Sequence, residues 1–415
     1  MKSLKDILIS SPLYGHSKIK HLWEAFGIPV AYRKRKILFR DAYCFWYLKK
    51  HGHGKKLTLE ERRSSYLLIE NDLSKRLPSV PAGENEETYR TIMTMQRGFG
   101  FLKQAQKHFN KEVGPYFNRE LIPYVAACLK NTSYIENAKV HAGKRYVFLT
   151  DIENFFGQVT QAKVIAKLQE FLHLDRDAAE FYGALLTAPN PKDRTKFVLG
   201  QGLPSSPVLA ILTNIELFDH IYEECRIHHY EMTIYVDDLT ISSPTPIDPE
   251  FRNKIHGWFK QNGLPLDNHK THYLSPTQVK RITGLYSYDG ETLIPNRRRE
   301  RMMVYNEYLK RPSEYIVSLE KYYQAYNILL RFEGLFNELK TVELRDKNHV
   351  VTIPQKYSGF VKTIMVLKPF FPLPQAKKNK DFAYSAMNVN RKLRLEFLND
   401  YSRLVGAIKR GEITF

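Results

Sequence analysis

The clearest alternation in the chain is EMTIYVDDLTISS (231–243), where β-branched and aromatic positions flank two aspartates. That pattern predicts a β-hairpin presenting both carboxylates at its tip. RYVFLTDI (145–152) is a short apolar run that ends in acid, and it predicts a buried strand. Between the two, residues 160–185 take helical spacing, with Val164, Leu168, Phe171 and Leu172 on one face. TYRTIMTMQRGFGFLKQAQKHFNKEV, from Thr88, predicts a helix, as do NRRRERMMVYNEYLKR and PSEYIVSLEKYYQAYNILLRF after Pro295. In the last of these, Tyr315, Leu319, Tyr322, Tyr326 and Leu330 recur at helical spacing, and Ser313 after Pro312 supplies a start signal.

The ends are less periodic. Residues 1 to about 85 read as helical and basic, with an aromatic cluster from Phe39 to Leu48. His51 and His53 sit among glycines and lysines, which suits a turn better than half a metal site. Residues 78–87 form a loop rich in Pro, Gly and acid, and 367–380 a basic, proline-broken, partly extended segment.

Composition narrows the class. Apolar residues make up 43% of the 415, which is enough to bury a core, and 63 Lys plus Arg against 44 Asp plus Glu leave a formal charge of +19. Such a surplus suits a polyanion. The basic residues alternate with Tyr and Phe, and no stretch has the apolar length of a membrane span, so nucleic acid is favoured over a membrane. Cys44, Cys128 and Cys225 are odd in number and widely spaced, which supports neither a disulfide framework nor a zinc ribbon. The N-terminus has no apolar signal core, and a reducing, cytoplasmic location is expected.

The chemistry lies in the acids. Nucleotidyl transfer uses two divalent ions about 4 Å apart, and hard cations prefer carboxylate oxygens. Asp151 at the end of one strand, with Asp237 and Asp238 at the hairpin tip, can supply them if the strands are neighbours. A Tyr-x-Asp-Asp string alone is weak, and turn aspartates are common for conformational reasons. Order and spacing of several pieces carry more weight.

From about Arg90 to Arg311 the chain resembles bacterial reverse transcriptases of the retron type, including relatives in antiphage defence. The resemblance rests on DIENFF (151–156), QGLPSSPVLA (201–210), YVDDLTISS (235–243), LDNHKT (266–271), RITGLYS (281–287) and NAKVH (137–141), and on PNRRRERMM, similar to the basic start of a retron thumb. ITG (282–284) differs by one methylene from the family's Val-Thr-Gly. The resemblance implies an α+β right-hand polymerase with fingers, an antiparallel palm flanked by helices, and a helical thumb. The expected divisions are a helical N-terminal extension (1–87), fingers (88–150), a palm (151–290) with an interleaved fingers segment (about 160–200), and a thumb with a C-terminal extension (291–415).

The resemblance also implies roles. Asp151 and Asp237, with Asp238 beside them and the backbone of Ile152, would hold two Mg2+ ions, for which Mn2+ can substitute. Phe156 would lie under the sugar and exclude a ribose 2′-hydroxyl, which implies DNA synthesis and argues against an RNA polymerase. Arg90 would grip the triphosphate, Gln201 and Gly202 would floor the base and template, and Lys270 would neutralise pyrophosphate. His141, Thr283, Gly284, Arg297, Arg298 and Arg301 would contact nucleic acid, the three arginines sharing one helix face, although His141 fits a satisfied core histidine as readily as an RNA contact. Tyr315, Tyr322, Tyr323 and Tyr326 would pack the thumb's own core. The implied partners are a non-coding RNA template, dNTPs and the cDNA product, with an effector protein or a second copy of the chain as further candidates, and no membrane.

The chain departs from the family at Gly200, where proline is usual, and at Ile211, where asparagine is. It also lacks the fingers lysine and Gly-Gly turn before Arg90. Two other functions compete: a protein-primed or template-independent polymerase of the abortive-infection type, and an idle RNA-binding protein that kept the fold. Against idleness, aspartates gathered together are costly without cations. An intron maturase is disfavoured because no Cys/His-rich endonuclease segment is present.

Overall fold

The computed structural model describes residues 39, 42–49, 58–67, 76–84, 89–116, 122–128, 132–288, 290–345, 350–371 and 391–414. His51, His53 and the basic segment beyond 371 lie outside the described residues. The chain forms two compact units, one of residues 1–50 with 76–291 and one of 51–75 with 292–415. The expected extension 1–87 is therefore divided between the two.

In the first unit, β1 (Tyr43–Lys49), β2 (Arg76–Leu77) and β3 (Tyr89–Met95) form an antiparallel sheet in the order β2-β1-β3. Both long strands correct expected helix. β1, YCFWYLK, is rich in the aromatic residues that suit a pleated surface. β3 misleads because its two buried residues, Tyr89 and Met93, are four apart, a helical interval. The strand pairs with residues 40 to 52 positions earlier, Lys49↔Tyr89 to Tyr43↔Met95, and that long-range pairing overrides the local pattern. The expected helix begins only at Gly100 and runs to Val113, burying Leu102, Ala105, Phe109 and Val113.

β4 (Tyr146–Asp151) is followed by helices Gln161–Leu172 and Arg176–Leu186, with Val164, Leu168, Phe171 and Leu172 buried as the spacing requires. Thr160 and Asp175 cap these helices, accepting from the Lys163 and Ala178 amides. A short hairpin of β5 (Ala188–Pro189) and β6 (Phe197–Val198) then leads to helices Ser206–Thr213 and Ile215–Ile227. β7 (Glu231–Tyr235) and β8 (Asp238–Ser243) form the expected hairpin, and β9 (His272–Leu274) completes a four-stranded antiparallel sheet in the order β7-β8-β4-β9.

This sheet has two unlike faces. Met232, Ile234, Leu239 and Ile241 are buried in the main apolar core with Phe155, Phe218, Ile221, Ile255 and Phe259. Thr233, Thr240 and Ser242 alternate with them and are equally buried. A polar face shut away from water needs partners, and the helix Tyr134–Val140 with its C-cap His141 brings one. Past β9, β10 (Lys280–Ile282) pairs with β11 (Leu285–Tyr288) across a tight Thr283–Gly284 turn.

In the second unit, helices Asn296–Leu309, Leu319–Leu339 and Ser358–Leu367 enclose an aromatic core. Tyr315, Tyr322, Tyr323 and Tyr326 are all buried. The middle helix starts later than expected: Ser318, not Ser313, caps it by accepting from the Lys321 amide at 3.2 Å. Pro312–Glu314 is a separate 3-10 turn, and Tyr315 folds back to donate to the Leu309 carbonyl at 2.7 Å. Among the described residues no helix is long and apolar enough to cross a membrane.

Phe218 is fully buried behind the four-stranded sheet, its ring 6.3 Å from those of both Phe155 and Phe259. Phe218→Ala should cost about 3–5 kcal/mol through lost burial and the cavity left behind. Urea denaturation followed by tryptophan fluorescence measures this, and a cost below 1 kcal/mol would place Phe218 outside the core.

Candidate active site

Register brings the acids together. In the β4–β8 pair Asp151 lies directly opposite Asp238, and in the β7–β8 hairpin Tyr235 lies opposite Asp238, so Val236 and Asp237 form a two-residue turn. Only Asp237 is thus at the tip, while Asp238 opens β8. A hairpin of this length favours positive φ in its turn, and Val236 has φ 62, a conformation that β-branched residues rarely adopt. The turn is tied to β4 by the Ile152 amide, which donates to the Asp237 carbonyl at 2.9 Å.

One carboxylate oxygen from each of Asp151, Asp237 and Asp238 lies within 4.8 Å of the others. Burial, then the nearby Asp151, raises Asp237 above the usual carboxylate range. Burial, then Asp237 and Asp151, pushes Asp238 up to about 7. Lys270 offsets part of this repulsion by donating from Nζ to Asp151 Oδ2 at 2.7 Å. Partial burial opposes its charge, but Asp151, Asp267 and Asp237 together hold Lys270 above its ordinary value. Asp267, 3.8 Å from Lys270, was not singled out in the sequence; its three-residue spacing from Lys270 was the available signal. Three converging carboxylates are the oxygen-rich donor set that a hard divalent cation takes, so the residues fit the implied metal.

The other predicted groups are placed as follows. Arg90 is exposed on β3, and its charge favours the ionised form of Asp237. Phe156 is half-buried and stacks on Phe155 at 5.9 Å. Gln201 is exposed, but its carbonyl accepts from the Met93 amide at 2.9 Å, which fixes its loop to β3. Gly202 has φ 100, and a Cβ there would stand 3.0 Å from the Met93 carbonyl oxygen and from Ile92. Glycine is therefore needed both for conformation and for close approach. At Gly200, the departure from proline, a Cβ would meet the Met93 sulfur at 2.5 Å.

Several expected nucleic-acid contacts are engaged within the fold. His141 is fully buried, its ring nitrogens 2.7 Å from Ser242 Oγ and 2.7 Å from Thr233 Oγ1, so it bridges both strands of the aspartate hairpin. Burial, with a smaller push from Lys144, lowers it to about 3. Of the two roles the sequence left open for His141, a satisfied core histidine and an RNA contact, the buried and fully bonded ring supports the first. Thr283 has φ 44 and donates to the Tyr134 carbonyl at 2.8 Å, and Asn137 reaches Thr283 at 3.5 Å; Gly284 follows with φ 83. In the second unit Arg298 pairs with Glu338, Arg299 with Glu343, and Arg301 lies over the Tyr66 ring at 4.9 Å. Arg298 and Arg301 do not share an open face with Arg297, which is exposed.

A divalent-cation-type acid cluster on the turn of an antiparallel sheet, with a cationic side chain on one acid, defines a polymerase-like α+β fold. Residues 65–288, more than half of the chain, match the family model described as reverse transcriptase (RNA-dependent DNA polymerase), and the chain belongs to that family. It is 26% identical over 280 residues to the retron Se72 reverse transcriptase of Salmonella heidelberg (strain 579083-10), spanning 65% of this chain and 70% of that relative. To the retron Ec48 reverse transcriptase of Escherichia coli it is 25% identical over 270 residues, spanning 62% and 61%. The chain is thus a member of the reverse transcriptase (RNA-dependent DNA polymerase) family and is similar to retron reverse transcriptases. Among solved structures, telomerase from Candida albicans with a fragment of telomeric RNA shares 11% identity at a TM-score of 0.36, covering 98% of this chain and 74% of that one.

His141 also sets a pH dependence. It is held neutral in the fold and takes a proton near 6.5 when unfolded, so its contribution is complete above that pH and is lost as pH falls toward about 3. His141→Gln should flatten the dependence of unfolding free energy on pH between 6.5 and 4. Urea titrations across that range test it, and parallel curves for parent and variant would show that His141 is not neutral in the fold.

Proposed function

We propose that the chain copies an associated non-coding RNA into cDNA, with Asp151, Asp237 and Asp238 as the ligands of two Mg2+ ions. The observation that carries the reading is the convergence of these three carboxylates within 4.8 Å at the end of two register-locked central strands. Two bound divalent ions would activate the primer hydroxyl and neutralise charge developing on the phosphates. The chain's own residues do the rest. Arg90 binds triphosphate oxygens, and Lys270, already poised at Asp151, can turn to the leaving pyrophosphate. The Gln201–Gly202 loop supports base and template through backbone contact with β3, and the half-buried Phe156 ring excludes a 2′-hydroxyl. In this scheme the four-stranded sheet is the palm, the β1–β3 region belongs to the fingers, and residues 292–415 act as the thumb, with Arg297 as its exposed phosphate contact. The retron likeness supports a dedicated RNA as template and a role in antiphage defence. Sequencing the nucleic acid that co-purifies tests the first, and plaque counts with and without the intact aspartates test the second.

Asp237→Asn with Asp238→Asn should abolish Mg2+-dependent DNA synthesis, a loss of at least a thousandfold, without lowering thermal stability, because the change also removes mutual repulsion. Primer extension on an RNA template beside a melting curve decides the matter. Synthesis above trace with unchanged metal dependence would sink the assignment.

Phe156→Val opens the space where a 2′-hydroxyl must lie, so ribonucleotide incorporation should rise at least tenfold relative to dNTP incorporation. Competition between rNTP and dNTP on one template reads this ratio. If the parent's discrimination persists, Phe156 is a packing residue only.

A further inference from the structure

We infer that Asp267 is a second seat for the Lys270 ammonium: the lysine rests on Asp151 as a resident counter-ion, yields that carboxylate to a divalent cation by swinging to Asp267, and so lets Asp267 set the cation affinity of the site. The inference rests on the polymerase reading above and adds to it a positioning residue that acts through Lys270.

Two acids flank the Lys270 ammonium. Asp151 Oδ2 accepts from Nζ at 2.7 Å, and Asp267 Oδ2 lies 3.8 Å from the same nitrogen, at the outer reach of an ion pair. The seats are fixed and the occupant is not. The Asp267 amide donates to the Asp151 carbonyl and the Glu153 amide to the Pro265 carbonyl, each at 2.8 Å, with Ile152 bridged to Leu266 between them. Thr150 Oγ1 and Thr271 Oγ1 are 2.7 Å apart, and Thr271 Oγ1 donates to the Asp267 carbonyl at 2.8 Å. Residues 265–271 are thereby laced to the end of β4, which fixes the backbones of Asp151 and Asp267 against each other. Lys270, by contrast, has a side chain more than half exposed and carries its charge on a flexible four-carbon stem.

The bland reading makes Asp267 a turn former, and one of its oxygens is just that: Oδ1 accepts from the His269 amide at 2.9 Å, the bond by which aspartate closes such turns. An asparagine would close the turn equally well, so the negative charge at 267 needs its own reason, and among the described residues the cation paired with it is Lys270. The reason lies in competition at Asp151. A hard divalent cation takes a carboxylate oxygen at about 2.0–2.6 Å, and an ammonium 2.7 Å from that same oxygen cannot stay beside it without strong repulsion. Lys270 must therefore leave for the site to fill. Released into water it would lose its pairing, whereas at Asp267 it keeps a carboxylate, so the Asp267 charge eases the emptying of the Asp151 oxygen. Apparent affinity scales with the fraction of molecules in which a site is competent, here those with Lys270 off Asp151. Asp267 raises that fraction.

The test uses the full chain without nucleic acid or nucleotide, with Mn2+ as the probe and its free concentration read by electron paramagnetic resonance at fixed pH and salt. Binding to the triad is the part lost in Asp237→Asn/Asp238→Asn. Asp267→Asn keeps the turn bond and removes the charge, so triad affinity should fall roughly threefold or more while the melting temperature stays as in the parent. Lys270→Met removes the occupant, and affinity should rise above the parent's. The decisive variant is Asp267→Asn/Lys270→Met, which should bind as tightly as Lys270→Met alone, because Asp267 has nothing left to receive. An equal loss from Asp267→Asn in both backgrounds would overturn the inference, since Asp267 would then attract the cation directly. Parent-like affinity in either single variant would overturn it as well. A parent chain that binds no more Mn2+ than Asp237→Asn/Asp238→Asn would instead overturn the metal-ligand reading of the triad itself.

Discussion

Repulsion among three carboxylates is the constraint around which the first unit is built. Asp151, Asp237 and Asp238 converge within 4.8 Å, an arrangement that a flexible chain would relax by moving apart. The fold removes that freedom twice. Pairing from Tyr146↔Ser243 to Asp151↔Asp238 sets two of the acids opposite each other, and a slip by one residue would turn the apolar face of β8 outward, so core packing enforces the register. The bond from the Ile152 amide to the Asp237 carbonyl then pins the third. What stays unneutralised after Lys270 has paired with Asp151 is an electrostatic demand for cations, which is the property a nucleotidyltransferase site needs.

The same sheet explains why residues that look like ligands turn out to be supports. Its hairpin buries threonine and serine on one face, which would be unfavourable without polar partners. His141 answers that need by bridging Thr233 on β7 and Ser242 on β8, and being neutral it does so without adding a buried charge. Asn137, one helical turn earlier, reaches Thr283 in the turn after β10. The NAKVH and ITG segments are therefore two ends of one brace that connects the aspartate hairpin to the β10–β11 turn. A substitution in either would therefore disturb the geometry of the aspartate hairpin.

The parts of the fold legible in the sequence are those whose partners do not alter the local pattern. β4 and the hairpin read correctly because alternation and terminal acids are local, and the helices at 161–172 and 176–186 because their buried faces follow helical spacing. β1 and β3 did not, because each is a strand only by virtue of the other, across an intervening stretch, and the buried pair Tyr89 and Met93 mimics a helix. Site roles divide in the same way. The aspartates, and the lysine that reaches one of them, were readable as a motif. His141 stayed open between a core role and an RNA contact, because its partners stand 92 and 101 residues away.

Net charge shows the same limit from another side. A surplus of +19 suits a polyanion, but it does not say which cations are free to meet one. The densest basic run, NRRRERMM, looks like the obvious phosphate contact, yet Arg298 and Arg299 are spent on Glu338 and Glu343, acids 40 and 44 residues away, and Arg301 on an aromatic ring. Those contacts hold the helices of the second unit together, so part of its basic character is structural. Local density of positive charge is therefore a poor guide to function here. Of the arginines in that run, Arg297 is the exposed one, while Arg298, Arg299 and Arg301 are partly buried.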